Sequence, residues 1–147
     1  MTDPTIRWMP GVPLAARWLG LSGLIPFAGL ALLALNGMDW AGLALLGYGV
    51  AILSFMGGCR WGFAAAGLGE GADWRPLAIS VLPCLYAWAV VWMPFPFGFF
   101  GLALGFILLF AADLSLSRAG GAPAWWPALR LPLSIGAAGS LTLAGFA

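Results

Sequence analysis

The sequence predicts an all-α integral membrane protein: a compact five-transmembrane-helix bundle with its N-terminus cytoplasmic and its C-terminus periplasmic. Three observations predict it. Of 147 residues, 63% are hydrophobic and only 7% are charged, whereas a soluble domain carries roughly 25% charged residues. Five apolar runs each approach the ~20 residues that cross a hydrocarbon core. All six positive charges are arginines, and the threading places them on one side.

The first run is Leu14 to Leu35 and contains Pro26. It exceeds the typical 7–15-residue core of a signal peptide and is read as a retained helix. Asn36-Gly37-Met38-Asp39 closes it with turn chemistry. The second run, Trp40 to Ala66, is followed by the polar stretch Gly67 to Arg75. The third, Pro76 to Trp92, contains Pro83 and ends at Met93-Pro94-Phe95-Pro96. The fourth, Phe97 to Leu116, leads into Ser117 to Ala124, and the fifth is Trp126 to Phe146. Pro26 and Pro83 each remove a backbone bond and are expected to kink their helices. Residues 1–147 therefore form a single membrane domain, with short connections and antiparallel neighbours. A β-barrel is disfavoured because Gly101 to Ala112 is continuously apolar, without the alternation of barrel strands.

Orientation follows from the arginines. Arg7 and Arg17 flank the entry to the first run, Arg60 and Arg75 bracket the loop after the second, and Arg118 and Arg130 bracket the loop after the fourth. The positive-inside bias makes that side cytoplasmic. The nine tryptophans cluster near the two ends of the runs, where interfacial anchoring accounts for nearly all of them. Small residues at four-residue spacing, Gly58 with Gly62, Gly101 with Gly105 and Gly136 with Ser140, are expected to let helices approach closely within the chain.

Charges within a span are rare and are usually paired or functional. Arg17, Arg60, Asp113 and Arg130 lie one or two turns inside the cytoplasmic ends of four different runs, so they share one depth. Asp113 is expected to pair with Arg130 first and Arg60 second, since an isolated carboxylate there would be costly. The arrangement reads either as a structural ion-pair clamp or as a pocket for an anionic headgroup or small ligand, built from the surplus arginine and Trp61. Snorkelling of the arginines to lipid phosphates is a further plain reading.

The inventory narrows the chemistry. The chain has no histidine, so imidazole-based haem, copper or zinc sites and imidazole relays are excluded from this chain alone. Cys59 and Cys84 sit in apolar runs without metal-clip spacing and read as small buried hydrophobes. No metal, cofactor or catalytic set is expected, and the near-neutral charge argues against nucleic acid. The midplane lacks a carboxylate for proton coupling.

The string Ile52-Leu-Ser-Phe-Met-Gly-Gly-Cys-Arg-Trp-Gly62 is the strongest family signal, flanked in order by Leu19 to Phe27, Ser80-Val-Leu-Pro83 with Trp88, Asp113, and Pro127 to Leu133. With these motifs the chain resembles the uncharacterised family of small bacterial inner-membrane proteins that includes the mitochondrial transmembrane protein 69. The resemblance implies a multi-pass inner-membrane location and no established reaction. Some members carry His at the position of Arg60, and that departure argues against an acid–base or metal role there. The mitochondrial branch implies, by analogy, a place beside energy-converting complexes. The favoured role is a non-enzymatic accessory, assembly or interaction subunit of a membrane complex. The alternative is a binder or carrier of a lipid or other hydrophobic small molecule through the cytoplasmic-side Arg/Trp layer. An enzyme working through Asp113 ranks last. Membrane lipids and another membrane protein or complex are the expected partners, and the oligomeric state is left open.

Overall fold

A computed structural model describes Met9 and residues 11–147; Arg7 and Trp8, assigned above to the cytoplasmic side, lie outside the described residues. Every regular element among them is helical: α1 (Leu14–Ser22), α2 (Leu24–Leu35), α3 (Asp39–Ala65), α4 (Trp74–Val91), α5 (Phe97–Arg118) and α6 (Trp126–Ala144). Four stretches are long and apolar enough to cross a membrane: Leu14–Leu35, Asp39–Ala65, Trp74–Val91 and Phe97–Arg118. The fifth expected span, α6, is helical over 19 residues. Arg130 and two prolines, Pro127 and Pro132, dilute its apolar character.

The helix ends obey local chemistry. α2, α3 and α5 all stop in the same way, with Gly37, Gly67 and Gly120 adopting φ of 81°, 82° and 75°. In each, the glycine N–H and the next N–H turn back onto the last carbonyls. At α2, for example, Gly37 N donates to Ala34 O at 2.9 Å and Met38 N to Leu33 O at 3.2 Å. A side chain would clash in that left-handed geometry, so glycine ends the helix. At the start of α4, Asp73 Oδ1 accepts the Trp74 N–H at 2.7 Å, as a capping carboxylate does.

The first apolar run is not one continuous helix. It breaks at Gly23, three residues before Pro26. Pro26 has no N–H for the Ser22 carbonyl, and its ring crowds that carbonyl, so the turn ahead of it opens. The Tyr48 hydroxyl donates to the Gly23 carbonyl at 2.9 Å, supplying from a neighbouring helix a partner at the break. Pro83, by contrast, lies within an unbroken α4.

The helices close into a ring in which α2 packs on α3, α3 on α4, α4 on α5, α5 on α6 and α6 back on α2, with α1 leaning on α6. The packing glycines are only partly those expected. A Cβ on Gly105 would lie 2.6 Å from the Tyr86 ring, and one on Gly101 would strike Val90, so α4 and α5 are close there. The Tyr86 hydroxyl also donates to the Gly101 carbonyl at 2.8 Å. Gly58 and Gly62, however, face open space. The contact of α3 with α4 is made by Gly57, where a Cβ would lie 2.6 Å from the Ser80 carbonyl oxygen. The four-residue spacing was right for a helix, but the buried face is rotated by one residue.

The bundle is inverted relative to a soluble protein. Leu19, Ile25, Leu43 and Ile135 are exposed, whereas Asp113 and Arg130 are among its most deeply buried side chains. Lipid solvates such an exterior without cost, and the ionic groups must find partners inside.

Candidate functional site

Asp113 sits on the inward face of α5, one turn before the helix end at Arg118. Arg60 of α3 and Arg130 of α6 approach it from either side. Arg60 Nη1 donates to Oδ1 at 2.8 Å, and Arg130 Nε donates to Oδ2 at 2.8 Å. The carboxylate and Arg130 are each 1% exposed at the side chain, and Arg60 is 10% exposed. Three helices are thus tied by one carboxylate, whose two oxygens are each occupied by a charge-assisted hydrogen bond.

The same α6 turn supplies a second element. Trp126 precedes Arg130 by four residues, so the two stack on one helix face. The Arg130 guanidinium carbon lies 6.0 Å from the Trp126 ring centroid, within cation–π range. Phe63 of α3 packs edge-on against the indole at 4.9 Å. Trp126 is buried, so it is not an interfacial anchor; Trp18, Trp40, Trp61, Trp74, Trp88 and Trp92 are exposed in keeping with that role.

Beside this pair is a cavity of about 310 Å³. It lies between the α1–α2 break, α3 and α6. Leu19, Leu24, Phe27, Ile52, Phe55, Met56, Leu129 and Leu133 supply apolar wall, and Trp126 and Arg130 also line it. Cys59 lines the cavity too, while Cys84 is exposed on α4. Neither thiol is fully buried; a lipid-facing position suits a weakly polar group as well as a core position does.

The remaining expected site residues stand apart. Arg17 does not reach Asp113: its Nη2 donates to the carbonyls of Met9 at 3.2 Å and Val12 at 3.3 Å, fastening the segment ahead of α1. Trp61, next to Arg60 in the chain, is exposed. Among the described residues no group of three or more His, Cys, Asp or Glu side chains is placed to hold a metal ion. Trp126 was missed as a site residue because a tryptophan at a helix start has the same sequence signature whether it anchors or packs. The i,i+4 spacing to Arg130 was the available signal.

This is a lipid-solvated bundle with an interior ion-pair triad beside a greasy cavity. The family described as protein of unknown function (DUF3429) matches residues 12–146, which includes all six helices. The chain belongs to that family. Among curated relatives, transmembrane protein 69 of Xenopus tropicalis is 41% identical over 87 residues, covering 56% of this chain and 34% of that protein. Transmembrane protein 69 of Mus musculus is 34% identical over 94 residues, covering 59% of this chain and 37% of that protein. The chain therefore matches little more than a third of the length of these relatives. No solved structure matches it.

Proposed function

We propose that this protein binds an amphipathic, hydrophobic small molecule inside its bundle, in the half nearer the arginine-rich end. In this reading all five apolar runs, α6 included, cross a bacterial inner membrane, with the N-terminus cytoplasmic and the C-terminus periplasmic. The observation that carries it is the cavity of about 310 Å³ walled by apolar side chains and by Arg130. Ligand pockets are typically of roughly 300–1,000 Å³ with an apolar lining and few polar groups. The α1–α2 break at Gly23 contributes to the wall, so the discontinuity forms one side of the cavity.

Native mass spectrometry from mild detergent tests it. The wild-type protein should retain an adduct that Ala16→Phe, which fills the cavity, loses while keeping its helical content. A wild-type protein free of adducts, or an adduct unaffected by Ala16→Phe, overturns the reading.

A second reading, an accessory or assembly subunit, draws on the outward face of α3. There Gly58 and Gly62 meet nothing within 4 Å, the kind of surface on which a transmembrane helix of another protein packs. Native gel migration of Gly58→Leu with Gly62→Leu is the corresponding test. Unchanged assembly counts against it.

A further inference from the structure

Resting on the cavity reading, we infer that the bound molecule is a single-chain amphiphile whose head carries a negative charge, held by Arg130 and Trp126. The charges come first. Two guanidinium groups face one carboxylate at 2.8 Å each, so the triad carries a surplus positive charge. The other described carboxylates are committed elsewhere: Asp73 caps α4, Glu70 faces Arg75 at 4.0 Å on the surface, and Asp39 begins α3 at the opposite end. Arg60 keeps 10% exposure and lines a separate cleft with Glu70 and Arg75, so its charge is relieved from the arginine-rich end. Arg130, at 1% exposure, has no such outlet to the surface.

Hydrogen bonding points to the same spot. Arg130 Nη2 and Trp126 Nε1 are both buried and have no acceptor among the described residues. Buried donors are normally satisfied, and a charged one is the most costly to leave unmatched. Both belong to cavity-wall residues, and the two side chains are stacked on each other. An oxyanion entering the cavity would accept from both and balance the surplus charge. At about 310 Å³ the space is at the small end for a ligand pocket, which suits one chain and not two. A fatty-acid-type carboxylate and a single-chain phosphate ester share this chemistry.

Cys59 is the reporter, since it lines the cavity. The full chain carrying Cys84→Ser is alkylated with a maleimide in neutral detergent, and modification at Cys59 is followed by mass spectrometry. Dodecanoate, dodecyl phosphate, dodecanol and dodecyltrimethylammonium are the probes. Dodecanoate or dodecyl phosphate should protect at concentrations at least about tenfold below dodecanol, the gain expected of a charge-assisted hydrogen bond, and whichever is more effective names the source. Trp126→Phe keeps the ring and removes the N–H; it should weaken protection by the anions several-fold more than protection by dodecanol, whose hydroxyl oxygen is the weaker acceptor. Equal protection by anion and alcohol, or best protection by the cation, overturns the charged head while leaving the cavity reading intact. If no probe protects Cys59, both fall. Should Trp126→Phe unfold, the anion-to-alcohol ratio in the otherwise unaltered chain still decides.

Discussion

Asp113 meets Arg130 through the guanidinium Nε at 2.8 Å, a single-pronged contact, not the two-pronged one that guanidinium and carboxylate often form. The second oxygen is thereby left to Arg60, and one carboxylate joins three helices. Asp113→Ala strands two cations in the bundle interior. It should lower stability by about 3 kcal/mol or more, the usual outcome when one partner of a buried pair is removed. Arg60→Ala should cost less, because Arg60 is the more exposed partner. Reversible unfolding in mixed micelles measures both, and a loss below about 1 kcal/mol for Asp113→Ala would remove the triad as a clamp.

Adjacent glycines on α3 should behave oppositely. Gly57→Ala pushes a methyl against the Ser80 carbonyl oxygen at 2.6 Å and is expected to cost about 1–3 kcal/mol through overpacking. Gly58→Ala meets open space and should be neutral or stabilising, by up to about 1 kcal/mol from helix propensity. The same unfolding assay separates them; equal effects would mean that α3 is rotated relative to the bundle.

Tyr48→Phe removes the hydroxyl that donates to the Gly23 carbonyl and keeps the ring, which packs on Phe27 at 4.9 Å. Interhelical hydrogen bonds in membranes average about 0.6 kcal/mol, so a small loss of stability is expected. Hydrogen exchange at the amides around Gly23 should rise more clearly than anywhere in α5. Uniform exchange changes would argue against a local role.

Orientation is open to direct measurement. In intact cells carrying a chain with Cys59→Ala and Cys84→Ser, a membrane-impermeant thiol reagent should modify Asn36→Cys and spare Ala119→Cys. Both positions are exposed, so burial does not confuse the result. Labelling of residue 119 alone would reverse the threading inferred from the positive-inside bias.

How far the sequence revealed this molecule depends on the length scale. Helix limits were legible to within two residues for the last four helices because turn residues and apolar runs punctuate a membrane chain sharply. Depth narrowed the partners of Asp113 to Arg17, Arg60 and Arg130, since buried charge in lipid has few places to go, but it did not separate Arg17, which turns to the carbonyls of Met9 and Val12. Rotational facts were not. Whether Gly57 or Gly58 touches α4, and whether Trp126 faces the bundle or the interface, depends on the angle of a helix about its axis. A nearly all-apolar circumference carries little record of that angle. The cavity beside α6 escaped notice for the same reason: its walls are leucine, phenylalanine and methionine, indistinguishable in the sequence from lipid-facing positions. The break at Gly23 was displaced from its cause because a proline acts on the turn before it.

The ion pair between Asp113 and Arg130 spans 17 positions of chain and joins consecutive helices. In the proposed five-span threading, α5 alone would deliver a bare carboxylate to the bilayer during biosynthesis, and α6 alone a bare guanidinium. Together they form a hairpin whose charges cancel. The two should therefore leave the insertion machinery as one unit, with Arg60 already waiting on the earlier α3 to complete the site.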